Sequence, residues 1–442
     1  MGARLDNRAP LESPEINMNP TDCRTPWNTL RSWPTNEPIA CCLDLAPDAH
    51  RPGALIGTIK RITRIDSQNP VDSLRKTLET PTSQSRVMWL PYEIGMAIEP
   101  ETRVIDTRQP SLVWSSGEVV ELQDLVHIDA SSSQWTTETG SDHGNQPQVC
   151  EDAGFSIEPF TSEKSRKTYT AGVKRILEYI RAGDVYQVNL THRLQTALHG
   201  SPRAFAASLF ETASPWHGTY IETIGTDGRK HAIVSASPEL FLDFDPRSRE
   251  VRTRPMKGTR PASGDHADLM HAEKDCAELN MIVDLMRNDL GRVCSFGSVR
   301  VDEPRTIECH GRSVLQATAT VSGRVRRGLD LAAVLEASLS PGSVTGTPKI
   351  RAMQIINELE QAPRGPYCGA MGLIDANGRA RLNVAIRTAI LTETDTPGRW
   401  VLEYPVGAGI VAQSDPEAEW QETLDKADIL MRLTQVGATG RI

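Results

Sequence analysis

Apolar residues recur at helical spacing in three long segments of the chain. In residues 161–184 they lie three or four positions apart and stop at Gly183, which predicts a helix ending at this glycine. In residues 265–290 the apolar positions repeat along one face, which predicts a long helix with a single buried stripe. A third helix is predicted from Pro348 onward, capped by Thr347.

Alternating or short apolar runs predict strands elsewhere. In residues 185–194 the alternation puts Gln187 and Asn189 side by side on one face of a strand. Residues 231–244 predict two strands joined by a Ser-Pro turn, with Glu239 just beyond the turn. The chain therefore mixes strands and helices along its length.

Changes in composition predict four regions. Residues 1–52 are rich in Pro, Asn and Asp and predict an irregular N-terminal extension. Short strand-like runs follow in residues 53–130, which we interpret as an N-terminal subdomain. The polar stretch 131–160 predicts a linker, and residues 161–435 form the predicted catalytic domain.

Length, charge and cysteine usage narrow the class of protein. The chain has 442 residues, 38% of them hydrophobic, which is enough for one large core or two to three ordinary ones. Its formal net charge of -9 argues against a nucleic-acid binder with a basic patch. The eight cysteines show no C-x-x-C spacing, and no apolar run is long enough to span a bilayer. We expect a cytoplasmic protein with free thiols that binds neither nucleic acid nor membrane.

A lysine stands in the segment "RTRPMKGTRPA", Arg252–Ala262. The simplest interpretation of Lys257 is a solvent-exposed loop cation, because lysine is among the residues least often buried. A nucleophilic role needs a neighbouring base or a desolvated pocket, together with a substrate within reach.

Two further features of the sequence, a glycine-containing loop and an arginine, could bind an anion. The loop containing Gly342 and Gly346 leads into a predicted helix, whose free N–H groups suit a carboxylate or phosphate. Arg387 falls in a predicted strand, where burial requires a negative partner. That partner is either a bound carboxylate or a structural Asp or Glu.

Several carboxylates could hold a metal ion. Asp-Pro at 415–416 predicts a helix start, after which Glu419 and Glu422 share one face and Lys426 lies four residues beyond. An exposed Glu–Lys pair explains this spacing. The alternative is a Mg²⁺ site with Glu278 as a third candidate carboxylate, because Mg²⁺ is held by one or two carboxylates, water and an oxygen-rich substrate.

Eight separated motifs resemble those of chorismate-utilising enzymes, in the same order and over residues 161–433. They are "AGDVYQVNLTHRL", "SASPELFL", "RTRPMKGTRP", "AELNMIVDLMRNDLGRV", "GSVTGTPKIRAM", "YCGAMG", "AIRTAI" and "GAGIVAQSDPEAEWQETLDKA". The segment "WLPYEIG" resembles the weaker amino-terminal part of the family. The resemblance implies one α/β unit, in which two large, mostly antiparallel sheets pack as a sandwich with helices outside and the active site between them.

Within that family, two positions resemble the aminating component of aminodeoxychorismate synthases. Those enzymes have lysine at the position of Lys257, where anthranilate synthases have alanine, and ammonia-using members have glutamine at the position of Gln187. The resemblance implies chorismate as substrate and ammonia from a separate glutamine amidotransferase subunit. The alternatives are anthranilate synthase component I and a chorismate-binding or amidotransferase-docking homologue with weak catalysis.

The resemblance also implies a role for each site residue. Lys257 would attack the ring and Glu239 would act as general acid and base, while Mg²⁺ would be held by Glu278, Glu419 and Glu422. The remaining positions implied to bind substrate are Gln187, Thr345, Gly346, Tyr367, Arg387, Gly407, Gly409 and Lys426. One departure stands at Leu315, which we align with a ring-contacting histidine of many relatives.

Overall fold

The computed structural model describes residues 11–12, 26–33, 37–49, 52–80, 82–102, 116–129, 135–137, 154–225, 227–261, 266–310, 314–360 and 362–439. The strands in chain order are β1 Leu11–Glu12, β2 Ile39–Asp44, β3 Gly53–Arg64, β4 Arg86–Leu90, β5 Glu118–Asp129, β6 Trp135–Thr137, β7 Phe155–Ile157, β8 Thr161–Ser162, β9 Gln187–Gly200, β10 His217–Ile224, β11 Lys230–Ser237, β12 Leu240–Asp245, β13 Glu250–Arg254, β14 Met256–Pro261, β15 Arg300–His310, β16 Val314–Arg324, β17 Gly346–Thr347, β18 Ala370–Ile374, β19 Ala380–Val384, β20 Thr388–Glu393 and β21 Arg399–Ile410.

The helices lie between these strands. In chain order they are α1 Pro26–Ser32, α2 Pro70–Glu79, α3 Tyr92–Ile98, α4 Arg166–Ala182, α5 Pro202–Ala213, α6 His266–His271, α7 Glu273–Gly291, α8 Leu331–Ser338, α9 Lys349–Glu360, α10 Pro416–Lys426 and α11 Asp428–Thr439, with short 3-10 turns at Pro100–Thr102 and Gly342–Val344. Within the described residues no helix is long and apolar enough to cross a membrane.

Hydrogen bonds join the strands into one continuous network. The order is β17–β9–β21–β20–β11–β10–β2–β3–β5–β4–β18–β19–β12–β13–β16, with β14 and β15 also paired to β16. Apart from the parallel pair of β1 and β15, the pairings of the described strands are antiparallel. The mixed α/β class with large antiparallel sheets and helices packed on them is therefore confirmed.

The two ends of this network face each other. Strand β14 lies at one end of the pairing order and β9 and β21 lie at the other, yet Lys257 of β14 approaches both Gly409 of β21 and Gln187 of β9. Helix α7 packs against β14 and β16, and α10 packs against β21. The layers that the resemblance implied thus belong to one network, which folds back on itself.

The predicted helices form for the reasons that their sequences indicate. Helix α4 begins at Ser165, whose side chain accepts a hydrogen bond from the Thr168 N–H, and ends at Gly183 with φ of 82°. The predicted stripe of α7, from Leu279 to Leu290, is buried in the main hydrophobic cluster. The segment differs in that Ala272 separates α7 from the short helix α6.

The N-terminal part of the chain differs from its prediction. Where we predicted an irregular extension, residues 26–32 form α1 and residues 39–44 form β2, which pairs with both β3 and β10. Leu30 and Ile39 are fully buried in a second hydrophobic cluster. Most of the predicted linker, including residues 138–153, lies outside the described residues.

A buried ion pair between Arg364 and Glu360 connects several elements of the fold. Arg364 donates to both carboxylate oxygens of Glu360, at 2.8 and 2.7 Å, and to the backbone oxygens of Asn189 and Val344. Glu360 in turn accepts the Thr191 N–H at 2.9 Å. One arginine therefore connects β9 to the turn before β17.

Removing the buried Arg364–Glu360 ion pair is expected to destabilise the protein strongly. Arg364→Met leaves the Glu360 carboxylate buried without its cation, so we expect the free energy of unfolding to fall by about 3–5 kcal/mol. Arg175→Met serves as the control, because Arg175 and its partner Glu178 are both exposed and such pairs contribute under about 1 kcal/mol. Urea denaturation measures both variants, and equal losses would contradict the role of Arg364.

Candidate functional site

The floor of the site is built by β9, β21 and β17. Gly409 of β21 is paired with Asn189, and Thr347 of β17 is paired with Gln187. Residues opposite each other in antiparallel strands project from the same side, so the side chains of Gln187, Asn189 and Thr347 share one face with Gly409. The predicted side-by-side placement of Gln187 and Asn189 is confirmed.

The Gln187 amide is buried without a bonding partner. The residue is 0% exposed, and neither its Oε1 nor its Nε2 has a hydrogen-bond partner among the described residues. Buried polar atoms are nearly always hydrogen-bonded, because leaving one unsatisfied costs about 1–3 kcal/mol. An unsatisfied amide at this place indicates a site for a polar ligand.

Lys257 reaches the same place from the opposite end of the strand network. Its segment forms β13 and β14, so the interpretation as an exposed loop cation is wrong, and its side chain is only 15% exposed. A Cβ atom placed at Gly409 would lie 3.1 Å from Lys257 Nζ and 3.3 Å from Gln187 Nε2. Lys257 Nζ also lies 3.7 Å from Glu278 Oε2.

Glycine at position 409 leaves room for both of these side chains. We expect Gly409→Ala to lower kcat by about a hundredfold, because the methyl group would displace Lys257 and Gln187 from the ligand. Gly291→Ala is the control, since nothing lies within 4 Å of a Cβ placed there. Steady-state kinetics of the two variants tests the expectation, and an unchanged kcat in Gly409→Ala would contradict it.

Glu239 lies in the predicted turn between β11 and β12. The Oγ atom of Ser237 accepts the Glu239 N–H at 3.2 Å and donates to Val384 O at 2.6 Å, which fixes the turn. The carboxyl is 4% exposed, and burial raises its pKa to about 7, although a hydrogen bond from Ser343 and the charge of Lys257 act to lower it. A carboxyl with this pKa can both give and take a proton near neutrality.

Arg387 lies in the bend between β19 and β20, with φ of 50°, and not in a strand as predicted. No Asp or Glu of the described residues forms an ion pair with it, and loss of hydration lowers its pKa. The phenol of Tyr404 lies near it, and the buried hydroxyl of this tyrosine has no partner in the described structure. Of the two interpretations offered by the sequence, the bound carboxylate fits this environment better than a structural pair.

Tyr367 lines a crevice beside the site. The crevice is also lined by Thr191, Arg193, Arg364 and Pro405. Because Pro405 lies two residues before Gly407 in β21, the crevice adjoins the glycine stretch that was predicted to bind substrate. Tyr367 itself is 5% exposed, and burial raises its pKa.

Helix α10 forms where it was predicted and carries two candidate metal ligands. Asp415 caps it by accepting the N–H groups of the first turn. Lys426 Nζ lies 2.8 Å from Glu422 Oε1 and donates to Gly407 O at 2.8 Å, which ties the helix to β21. Glu419 is 6% exposed and accepts a hydrogen bond from Ser414 at 2.6 Å.

The carboxylates do not form a closed metal cage by themselves. Within the described part of the chain, no group of three or more His, Cys, Asp or Glu side chains is arranged to hold a metal ion. The donor type nevertheless fits Mg²⁺, which uses few carboxylates and completes its coordination with water and substrate. Burial raises the pKa of Tyr169, and the nearby carboxylates of Glu419 and Glu422 add to this rise, so both lie close to the same tyrosine.

The glycine-rich turn is positioned by backbone contacts with β9. Thr345 Oγ1 donates to Pro341 O and Gly342 O at 3.1 and 3.2 Å, and Thr345 O accepts the Asn189 N–H. A Cβ at Gly346, whose φ is 151°, would lie 2.1 Å from Gln187 O, so only glycine fits there.

The start of α9 differs from its prediction. The helix begins at Lys349, while Thr347 belongs to β17 and its buried Oγ1 has no partner among the residues described, so Thr347 is not the cap. The sequence pattern did not predict that Thr347 lies in a strand, because nothing in the pattern shows that residues 346–347 pair with β9.

Leu315 is a core residue in this structure. It is 1% exposed, belongs to the main hydrophobic cluster and is paired with Cys309 in β15. The six cysteines that the structure describes are free.

Comparison with known proteins explains this arrangement. The family model described as chorismate binding enzyme matches residues 40–432. The chain belongs to this family. Several similar curated proteins are named anthranilate synthase component 1, and one of the two from Haloarcula marismortui is 34% identical over 85% of this chain and 80% of its own length.

Two other members of the chorismate binding family extend the comparison. A protein of Streptomyces griseus named aminodeoxychorismate synthase is 36% identical over 67% of this chain and 40% of its own length. The crystal structure of anthranilate synthase component I from Streptococcus pneumoniae matches with a TM-score of 0.67 and 26% identity, over 89% of this chain and 90% of that one. Both family and fold therefore agree with the motifs.

Proposed function

We propose that this protein adds ammonia to chorismate and forms 4-amino-4-deoxychorismate, the precursor of 4-aminobenzoate in folate synthesis. The observation that carries the proposal is the placement of Lys257 beside the unpartnered amide of Gln187. A nucleophilic amine and a neutral hydrogen-bonding site for a second nucleophile are the two groups that a double displacement needs.

The first displacement uses Lys257 and Glu239. The amine form of Lys257 attacks the ring, the ring double bonds shift, and the bond to the distant hydroxyl breaks. Glu239 in its protonated form gives its proton to the departing oxygen, which leaves as water, and the proton lost by Lys257 passes to solvent. The raised pKa of Glu239 supports this assignment, because it keeps the acid protonated up to neutral pH.

The second displacement uses ammonia. Its lone pair forms a bond to the carbon that lost the hydroxyl, the double bonds shift back, and the electron pair of the Lys257–carbon bond returns to Nζ. The Glu239 carboxylate takes the extra proton of the new amine. A proton from solvent, which replaces the one that Lys257 lost in the first displacement, adds to Nζ as its bond to carbon breaks, so Lys257 and Glu239 return to their starting forms. The net reaction consumes one ammonia and releases one water.

Other residues hold the dicarboxylate substrate. Arg387 has no carboxylate partner among the described residues and would bind the pyruvyl carboxylate, with Tyr367 and the backbone at Gly407 and Gly409 nearby. Thr345, Gly346 and Lys426 complete the pocket. Glu278, Glu419 and Glu422 would hold Mg²⁺, which when bound neutralises and orients the ring carboxylate.

Removal of divalent metal tests whether turnover depends on Mg²⁺. Treatment with a chelator is expected to lower turnover by about a hundredfold, with recovery on adding Mg²⁺. Glu419→Gln should also weaken Mg²⁺ binding measured by calorimetry. Glu417→Gln, on the same helix but paired at the surface with Arg166, should not. Full turnover in chelator would refute the metal site.

Anthranilate synthesis is the second candidate. It is favoured by the names of several similar proteins, which are anthranilate synthase components. The lysine at position 257 weighs against it, because a reaction that eliminates pyruvate directly gives this nucleophile no role. A third hypothesis, a chorismate-binding homologue with little catalysis, finds no support in a site that keeps Lys257 and Glu239 together.

Product analysis separates these hypotheses. The purified protein should be incubated with chorismate, Mg²⁺ and ammonium at mildly alkaline pH, and the products identified by mass. We expect 4-amino-4-deoxychorismate, convertible to 4-aminobenzoate by an added lyase. Anthranilate with pyruvate would establish the second candidate, and chorismate binding without turnover would establish the third.

We also propose that ammonia is delivered in the cell, in the cytoplasm, by a separate glutamine amidotransferase subunit. Added amidotransferase with glutamine should replace ammonium.

A further inference from the structure

We propose that Thr347, together with Gln187, binds the ammonia molecule that attacks the ring. This inference rests on the proposed amination of chorismate and assigns a residue for its nitrogen substrate. Thr347 is the second residue of β17 and is paired directly with Gln187 of β9. A hydrogen bond of 2.7 Å from Tyr186 N–H to Thr347 O fixes this register.

Three unsatisfied polar atoms lie together at this pair. The Oγ1 atom of Thr347 and both amide atoms of Gln187 are buried and have no partner among the described residues. Directly opposed residues have Cβ atoms about 4.5–5.5 Å apart, so one small molecule can contact both side chains. Together the atoms offer two acceptors, Gln187 Oε1 and Thr347 Oγ1, with N–H and O–H donors beside them.

Ammonia matches this set of atoms. Two of its N–H groups can donate to Gln187 Oε1 and Thr347 Oγ1, which leaves its lone pair free to attack. Neither side chain carries a charge or titrates near neutral pH, so the pair favours neutral ammonia over ammonium, which would lose hydration without gaining an anion.

The location also suits the second displacement. Gln187 Nε2 and Lys257 Nζ both lie beside Gly409, so a molecule held by Gln187 and Thr347 is next to the group that it replaces. Thr345, the other threonine of the turn, uses its hydroxyl to donate to Pro341 and Gly342. Of these two hydroxyls, that of Thr347 is therefore the one left for the ligand.

Two variants of Thr347 test the inference. Thr347→Val keeps the shape of the side chain but removes the acceptor, and we expect the KM for ammonia to rise about tenfold. The KM and Kd for chorismate should stay within about twofold, and Thr347→Ser, which restores a hydroxyl, should recover most of the ammonia affinity. Thermal unfolding of both variants confirms that the fold is retained.

The outcomes distinguish this inference from the proposed function. An unchanged KM for ammonia in Thr347→Val, an equal loss of chorismate affinity, or no recovery in Thr347→Ser would each overturn the role of Thr347. Failure of the wild-type protein to form the 4-amino product would instead refute the proposed function, and it is seen without any variant.

Discussion

Lys257→Ala is expected to lower the rate of chorismate amination by at least about a thousandfold, because no other group replaces the covalent nucleophile. The Kd for chorismate should change much less, since Arg387 and the backbone around Gly407 remain. Turnover with ammonium and calorimetric titration of chorismate measure the two quantities. Lys174→Ala, on the exposed part of α4, is the control and should behave as wild type.

Lys257→Arg separates covalent catalysis from a role of charge alone. Arginine keeps a cation near Glu278, which lies 3.7 Å from Lys257 Nζ, but it is not a nucleophile at neutral pH. We expect this variant to be as inactive as Lys257→Ala. Mass spectrometry of wild-type protein with chorismate and without ammonia should show an adduct of chorismate minus water on Lys257. An active Lys257→Arg variant would contradict the covalent mechanism.

Glu239→Gln is expected to lower kcat by about 10²–10⁴-fold, the range typical for loss of a general acid or base. In the wild type, burial raises the pKa of Glu239 to about 7, and the first displacement needs its protonated form. The wild-type kcat/KM for chorismate, measured at constant free ammonia and divided by that of Glu239→Gln so that the protonation of other groups cancels, should therefore be level below pH 7 and fall about tenfold per pH unit above it. The residual activity of Glu239→Gln should show no decline above pH 7. A decline that persists in this variant would show that another group causes it.

The same shift predicts a pH dependence of stability. A carboxyl whose pKa is about 7 in the folded protein and 4.5 in the unfolded chain binds its proton more tightly in the folded state. Its contribution to the free energy of unfolding is complete below pH 4.5 and is lost as the pH rises through 7. The loss amounts to about 3 kcal/mol at most. Glu239→Gln should thus gain stability relative to wild type at pH 8, as measured by urea denaturation.

Elements with strong local signals were predictable from the sequence. Helices α4 and α10 begin after side chains that cap them, α4 ends at Gly183 as its pattern indicates, and Glu239 lies just beyond a Ser-Pro turn. The alternation in β9 placed Gln187 and Asn189 on one face. In each case, neighbours along the chain determine the conformation.

Features that depend on distant contacts were not predictable. Lys257 lies in a strand because β14 pairs with β16, some sixty residues further along the chain, and "PMKGT" alone resembles a loop. Arg387 lies outside the strand predicted for it because its backbone has a positive φ, which arginine rarely adopts. Thr347 resembles a helix cap until its pairing with β9 is known. The buried apolar run of β2 was likewise missed among the prolines and polar residues around it.

The return of the strand network on itself has a consequence for biogenesis. Gln187 and Lys257 belong to opposite ends of the pairing order, and they meet Gly409 near the C-terminal end of the described chain. Contacts between residues so far apart in sequence form slowly, because loop closure must precede them. A chain still emerging from the ribosome lacks β21 and hence one side of the reaction centre. The site around Gly409 is therefore complete only once β21 has joined the strand network.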